Sequence, residues 1–167
     1  EGTDKLEDLT TSGVGAHAYT ITVTGTSVDN DASVAASLLN TLDGKTTVDV
    51  IVTAITTITG AYSDINTLYT NTANFTNLGN EALTVTGSPT HTQVNALDDH
   101  TTGIITASIL ATTRVSDLLT VTDDNTNNAY TIVIPAVDAT TTAANLTTIN
   151  GITSTAVNAS SVTTLQG

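Results

Sequence analysis

One six-residue stretch occurs twice in this chain: Ala18-Tyr19-Thr20-Ile21-Thr22-Val23 returns as Ala129-Tyr130-Thr131-Ile132-Val133-Ile134. Two further pairs of similar segments, 39–42 with 146–149 and 50–60 with 157–167, share one spacing that is slightly shorter than that of the first pair. A shortened loop accounts for the difference. Repetition on this scale predicts an architecture of repeated units rather than one unique core.

The long repeat suggests a division of the chain into three parts. Residues 1–17 read as the end of a preceding repeat, 18–128 as one full long repeat of about four coils, and 129–167 as the start of the next. The sequence begins without Met and stops within the pattern. We therefore expect it to be a stretch of a longer protein.

A shorter pattern lies inside the long one, an aliphatic residue followed three positions later by another, at 6–9, 39–42, 65–68, 94–97, 115–118 and 146–149. Residues three apart share one face of a helix, so each segment predicts a short amphipathic helix. Candidate N-terminal caps precede most of them: Asp31 or Ser33, Ser63, Ser88 with Pro89, and Asp138. The predicted core is Leu39, Leu42, Ile65, Leu68, Val94, Leu97, Val115, Leu118, Leu146 and Ile149.

Runs rich in Val, Ile and Thr separate these helices, at 19–24, 48–52, 83–86, 104–109 and 130–134. β-branched residues favour strands. The chain therefore reads strand, turn, short helix, turn, in coils of roughly 20–33 residues. Strands that alternate with helices tend to pair in parallel. The predicted fold is an α/β repeat solenoid with a parallel sheet.

An all-β fold is the alternative, either a tandem adhesin-like sandwich or a β-solenoid. A period of about 110 residues also fits tandem immunoglobulin-like domains. The chain has no Trp and one Phe, so it lacks the aromatic core that such sandwiches use. The regular recurrence of helix signals also favours the α/β fold.

Composition excludes several classes of function. Three Lys+Arg stand against sixteen Asp+Glu, giving a net charge of −13, and nucleic-acid binding needs clustered cations. The chain has no Cys, which removes disulfides, thiolate metal sites and thiol catalysis. No apolar run reaches the length of a membrane span. We expect neither a nucleic-acid partner nor membrane insertion.

Several phrases resemble the repeat regions of very large secreted or cell-surface proteins of cyanobacteria and other aquatic bacteria. They are Ala-Tyr-Thr-Ile-Thr-Val (18–23), 39–48, 79–87, 96–103 and 159–165. The resemblance covers nearly the whole chain. It implies an extracellular or cell-surface location and a fibrous role linked to adhesion, surface coat or motility. The glycine-rich calcium repeats that often accompany such regions do not occur here, and no catalytic residues are implied.

One run of oxygen-bearing side chains could bind calcium: Asp123, Asp124, Asn125 and Asn127. Ca²⁺ takes six to eight oxygen ligands. The run lacks the glycine and distal Glu of an EF-hand loop. A polar turn that uses left-handed backbone angles is the simpler explanation of this run. Calcium is the only cofactor that the sequence suggests.

The sequence offers little support for an enzyme. His17, His91 and His100 are the only histidines, and their spacing does not indicate a nucleophile–base–acid set. We expect no catalytic activity. The expected function is a structural repeat module of an extracellular fibre, sheath or surface layer, which self-associates by end-to-end stacking or continues in a larger chain.

Alternating Thr residues leave a second function open. Thr20, Thr22 and Thr24 share one strand face, as do Thr84 with Thr86 and Thr120 with Thr122. An outward Thr array could bind glycans, ice or another surface, so an adhesin-type binding module is the alternative. Thr is also the polar residue that best suits an exposed strand face.

Overall fold

A computed structural model describes residues 17–24, 33–123 and 127–167. The chain divides into two compact units, Glu1–Glu81 (unit 1) and Ala82–Gly167 (unit 2). The helix predicted at 6–9 and the candidate cap Asp31 lie outside the described residues. Each unit combines short helices with short parallel strands.

In unit 1, strands run directly into helices. β1 (Ser33–Ala35) precedes α1 (Ala36–Asp43), and β3 (Thr57–Ala61) precedes α2 (Tyr62–Thr70). β2 (Val50–Ile51) follows α1, and β4 (Phe75–Thr76) follows α2 and a 3-10 turn. β1 pairs with β3 and β2 with β4, both in parallel. The segment 17–24 joins through parallel bridges to Thr46 and Ile51.

Unit 2 repeats the same types of element. Its strands are β5 (Ala82–Thr86), β6 (Ile105–Ser108), β7 (Ala129–Thr131), β8 (Thr140–Thr142) and β9 (Thr164–Gln166). Its helices are α3 (His91–Asp98), α4 (Val115–Leu118) and α5 (Ala143–Gly151). β6 lies between β5 and β7, and β8 pairs with β9, all in parallel.

Paired strands are separated by a nearly constant length of chain. Ser33 lies opposite Thr57 and Thr140 opposite Thr164, and the separation along the sequence is the same in both pairs. The other strand pairings within each unit depart from this separation by at most two positions. Each strand therefore lies beside the strand that follows about one short repeat later. The α/β prediction is confirmed, and the helices do not fit the all-β alternative.

The long sequence repeat reappears as repeated main-chain hydrogen bonds. In unit 1 the Ile51 N–H donates to the Ile21 carbonyl at 2.9 Å. In unit 2 the Asn158 N–H donates to the Ile132 carbonyl, also at 2.9 Å. Ile51 and Asn158 are the second residues of the repeated segments 50–60 and 157–167, and Ile21 and Ile132 are the fourth residues of the six-residue stretch. Residues that match in the sequence are thus equivalent positions in the two units.

Threonine side chains repeat in the same way. The Thr46 hydroxyl donates to the Tyr19 carbonyl at 2.7 Å, and the Thr153 hydroxyl donates to the Tyr130 carbonyl at 2.7 Å. Each hydroxyl also accepts the N–H two residues later in the chain, at 3.1 Å. These threonines fix the turn that follows a helix, which explains why Thr is retained at both positions.

Most of the predicted core residues are buried: Leu39, Leu42, Ile65, Leu68, Val94, Leu97, Val115, Leu118 and Ile149. Leu146 differs, because it is only partly buried and lines an open groove beside α5. Its counterpart in the long repeat, Leu39, lies on a helix that packs against α2. The i, i+3 pattern identifies the inward face of a helix but not whether a neighbour covers it.

The helix starts differ from the sequence expectation. α1 and α2 follow Ala35 and Ala61, which offer no side-chain cap, because the preceding strand leads straight into each helix. The prediction of Ser63 as a cap is wrong, since Ser63 lies inside α2. α3 is capped by Thr90, two residues beyond the predicted Ser88, through a reciprocal capping box with Gln93.

Candidate functional site

Two members of the run proposed for calcium, Asp123 and Asn127, lie in the described residues. Asp123 accepts the N–H groups of Asn127 and Asn128 through its two carboxylate oxygens, each at 3.4 Å. Asn127 has a φ of 91°, in the left-handed region. Asp124 and Asn125 lie outside the described residues. The described contacts of Asp123 and Asn127 are hydrogen bonds within this part of the chain, and calcium binding stays a prediction.

The described residues contain no group of three or more His, Cys, Asp or Glu side chains that could hold a metal ion. Of the three histidines, His17 is exposed, whereas His91 and His100 are partly exposed at the two ends of α3.

A buried polar network was missed by the sequence analysis. Asn128 is fully buried, and its Oδ1 accepts the Ile105 N–H at 2.7 Å. Its Nδ2 donates to Oδ1 of the buried Asp98 at 2.9 Å. The side chain therefore ties the start of β6 to the end of α3. In the sequence, Asn128 looks like the last member of a polar loop, and only its place just before a strand marks it.

Tyr130 lies next to this network. Burial raises the pKa of the Tyr130 phenol, and the nearby charges of Asp98 and Asp123 raise it further. The phenol consequently stays neutral over the physiological range. This side chain is fully buried and forms part of the core.

Asp138 caps a helix other than the one expected. One carboxylate oxygen accepts the Val115 N–H at 2.8 Å, at the start of α4, and the other accepts Arg114 Nη2 at 3.0 Å. The sequence analysis assigned Asp138 to the next helix, α5, whose cap is Thr142. Asp138 instead links two segments that lie 23 residues apart in the chain.

In unit 1 the carboxylate of Glu81 forms hydrogen bonds that stabilise the fold. Glu81 is buried, and its Oε2 accepts the N–H groups of Gly79 and Asn80 and the Tyr69 hydroxyl at 2.8–3.2 Å. The adjoining groove, of about 560 Å³, is open and lined by Thr53, Ile55, Thr56, Asn77, Leu78, Gly79 and Asn80. None of these lining side chains can act as an acid or a base near neutral pH. The groove has no evident catalytic chemistry.

The Thr-rich strand face is present in unit 2. Thr84 lies opposite Thr106, and Ser108 lies opposite Thr131, with all four exposed. In unit 1, Thr20, Thr22 and Thr24 are also exposed. Thr120 and Thr122 do not belong to the array, because they follow α4 outside any strand. The exposed face of β5, β6 and β7 therefore carries two hydroxyl pairs, Thr84 with Thr106 and Ser108 with Thr131, and on β7 it is Ala129 that lies opposite Thr106. We call these two pairs the hydroxyl row.

No protein-family model, curated protein or solved structure matches the chain. None of the helices in the described ranges has the length and apolarity that a membrane crossing requires. The assignment of function therefore rests on the chain's own repetition and surfaces.

Proposed function

We propose that this chain is a structural repeat module of an extracellular fibre, sheath or surface layer. In this proposal it is an α/β solenoid whose coils stack end to end. The observation that carries the proposal is that the two units reuse the same main-chain and threonine hydrogen bonds at equivalent positions of the long repeat. A chain that repeats its internal contacts in this way can extend them to a further unit.

Side chains that join one coil to the next support the stacking. Asn40 Nδ2 on α1 donates to the Asp64 carbonyl on α2 at 2.9 Å. In unit 2, Asn95 donates to the Thr120 carbonyl at 2.8 Å and accepts the Thr122 N–H at 3.1 Å. In each case the partner lies about one short repeat further along the chain. Each coil thus depends on its neighbour for polar as well as apolar contacts.

An extracellular location is the part of the proposal that depends on composition and resemblance. The chain is acidic, Thr-rich and free of Cys. High net negative charge favours solubility and resists non-specific association. Surface proteins that form coats or fibres need this property, because they are displayed at high local concentration.

Electron microscopy of the purified chain tests the proposal. We expect filaments or strings of particles that lengthen as protein concentration rises. We also expect them to persist in a chelator, because the coil contacts in the described residues are hydrogen bonds and apolar packing. Single particles at every concentration, with no increase of mass in sedimentation velocity, would contradict end-to-end assembly. Loss of the filaments in chelator alone would instead support calcium binding by the run at Asp123.

A binding module is a second candidate function, favoured by the hydroxyl row on β5, β6 and β7. Adjacent parallel strands lie about 4.8 Å apart, so the paired Thr and Ser side chains lie at a regular spacing. Such a surface suits an ordered ligand such as ice or a crystalline polysaccharide. In this role the stacked coils hold the hydroxyl row at the surface, where a ligand can reach it.

Replacement of the central threonine tests the binding module. We expect Thr106→Lys to abolish retention on ice or on polysaccharide beads, because a long cation interrupts the hydroxyl row. Thr102→Lys, at an exposed loop position outside the strands, is the matched control and should leave retention unchanged. If the unmodified chain shows no retention in either assay, the binding role is wrong.

A further inference from the structure

Unit 2 carries a groove between two of its segments, with a volume of about 380 Å³, which is within the range of small-ligand sites. One wall is α4 with the residue on each side of it, 114–119. The other wall is the segment 138–145, which contains β8 and the first turn of α5. Nine of the ten described residues that line the groove lie in these two segments. Its walls therefore do not depend on the last residues of the chain.

Two charged side chains lie in this groove, and their charges offset each other. Arg114 Nη2 donates to Asp138 Oδ1 at 3.0 Å, and Asp138 Oδ2 also accepts the Val115 N–H at 2.8 Å. The carboxylate is thus fixed at two points. A guanidinium has five N–H donors, and the bond to Asp138 uses one of those of the half-exposed Arg114. The groove therefore offers charged hydrogen-bonding groups that are already in place, without a net charge.

The second wall departs from the long repeat at three positions. The offset that relates 39–42 to 146–149 also relates three apolar residues of unit 1 to three polar residues of unit 2: Val34 to Thr141, Ala35 to Thr142 and Leu38 to Asn145. Within 33–42 these are the only positions at which an apolar residue has a polar counterpart. All three polar residues line the groove. The polar replacements therefore collect at the groove, which indicates a role there rather than in folding.

Thr141 is the most informative of the three. It is only 6% exposed, and its hydroxyl has no hydrogen-bond partner among the described residues. Val34, at the equivalent position of unit 1, is 3% exposed. Packing at this position therefore does not require a hydroxyl, and a buried hydroxyl without a partner lowers stability. Because Thr141 lines the groove, a ligand bound there can supply the missing partner.

The chemistry of the groove fits a neutral saccharide. Each sugar hydroxyl can donate and accept a hydrogen bond, and the groove offers donors on Arg114, acceptors on Asp138 and both on the Asn145 amide. Leu119 is exposed and lines the same groove, where it can contact the C–H groups of a sugar ring. An anionic ligand is disfavoured, because the two charges of the groove cancel and the chain carries a net charge of −13.

We propose that this groove binds a neutral saccharide. The guanidinium of Arg114 donates to a sugar hydroxyl, Asp138 accepts from one, and the amide of Asn145 bridges two neighbouring hydroxyl groups. The site is separate from the hydroxyl row, since none of the four residues of that row lines the groove. It also does not depend on end-to-end assembly, so a structural module of either kind could hold a surrounding polysaccharide through it.

Replacing Asn145 with Leu tests the site. Leu38 occupies the equivalent position of unit 1, so the fold should accept the change. We would titrate the chain with cellotetraose, maltotetraose and mannotetraose and follow the side-chain NMR signals of Arg114 and Asn145. We expect at least one of these neutral oligosaccharides to shift both signals. Asn145→Leu should weaken its binding by about ten-fold or more, the effect of losing one or two hydrogen bonds.

Thr147→Asn is the matched control for Asn145→Leu. It also gives α5 the residue that unit 1 has at the equivalent position, Asn40. Thr147 is exposed and does not line this groove, so its replacement should leave the affinity unchanged. Equal affinities of the Asn145→Leu chain and the control would contradict the proposed role of the amide.

Thr141→Val separates binding from stability. It should weaken saccharide binding and leave the melting temperature equal or higher, because it removes an unpaired buried hydroxyl. A purely structural role of Thr141 would instead lower the melting temperature and leave the affinity intact. If no neutral oligosaccharide shifts the signals, or if trigalacturonate binds more tightly than all of them, the proposal is wrong. The proposed structural role would then still stand, because filament formation tests it independently.

Discussion

Replacing Leu97 with Asp should unfold unit 2. Leu97 is completely buried on the inner face of α3. An ionised carboxylate at this position has no partner and loses its hydration, and this adds to the loss of the leucine's apolar contacts. We expect a loss of more than about 4 kcal/mol in the free energy of unfolding. Urea denaturation followed by circular dichroism would show it as the loss of the cooperative transition of this unit.

Thr92→Asp is the matched control for Leu97→Asp. It adds the same charge to the same helix, but at an exposed position in the first turn. There a carboxylate interacts favourably with the helix dipole. The free energy of unfolding should therefore change by no more than about 0.5 kcal/mol. A Leu97→Asp chain that melts like the unmodified protein would show that α3 does not pack as described.

Replacing Asn128 with Ala should lower the free energy of unfolding by about 3 kcal/mol or more. The change leaves a buried N–H unpaired and removes a hydrogen-bond donor from a buried carboxylate. The Ile105 N–H loses its acceptor, and Asp98 loses the amide donor. Hydrogen exchange of the Ile105 amide gives a local readout, and thermal denaturation gives the global one. The exposed Asn150 provides the control, because Asn150→Ala should change stability by less than about 0.5 kcal/mol.

The Asn128→Asp variant tests the effect of a negative charge at this site without a change in the size of the side chain. The new carboxylate has nearly the same size as the amide but faces Asp98. Like charges that share a site raise the pKa of the pair in the folded state. Stability should therefore be greater in acid, where a proton is held between them, and should fall as the pH rises. A variant whose stability does not change with pH would show that the two groups are not in contact.

The sequence predicted the helices well and the strands unevenly. Aliphatic residues at i and i+3 located α1 to α5, because inward-facing positions of a helix recur at that spacing whatever covers them. The strands β1 and β8 read SVA and TTT. They have no alternation long enough to be recognised, and they form because a parallel neighbour pairs with them.

Polar contacts between segments that are distant in the sequence were harder to predict. Asp138 looked like a cap for the next helix but caps α4, earlier in the chain. Asn128 looked like a loop residue but is buried against Asp98. A side chain that bonds to a residue about one short repeat away leaves no local pattern, because its partner is fixed by the tertiary packing. The long repeat did predict equivalent positions in the two units, since repeated contacts require repeated residues.

The nearly constant length of chain between paired strands determines how the molecule would respond to tension. In the proposed solenoid, the hydrogen bonds between paired strands connect one coil to the next. A pull that draws neighbouring coils apart loads the bonds of one boundary at a time. Each boundary that opens lengthens the molecule by roughly 80 Å, which is the length of one coil when its chain is fully extended. Such a module would lengthen in small steps under load and absorb sudden strain without breaking the chain.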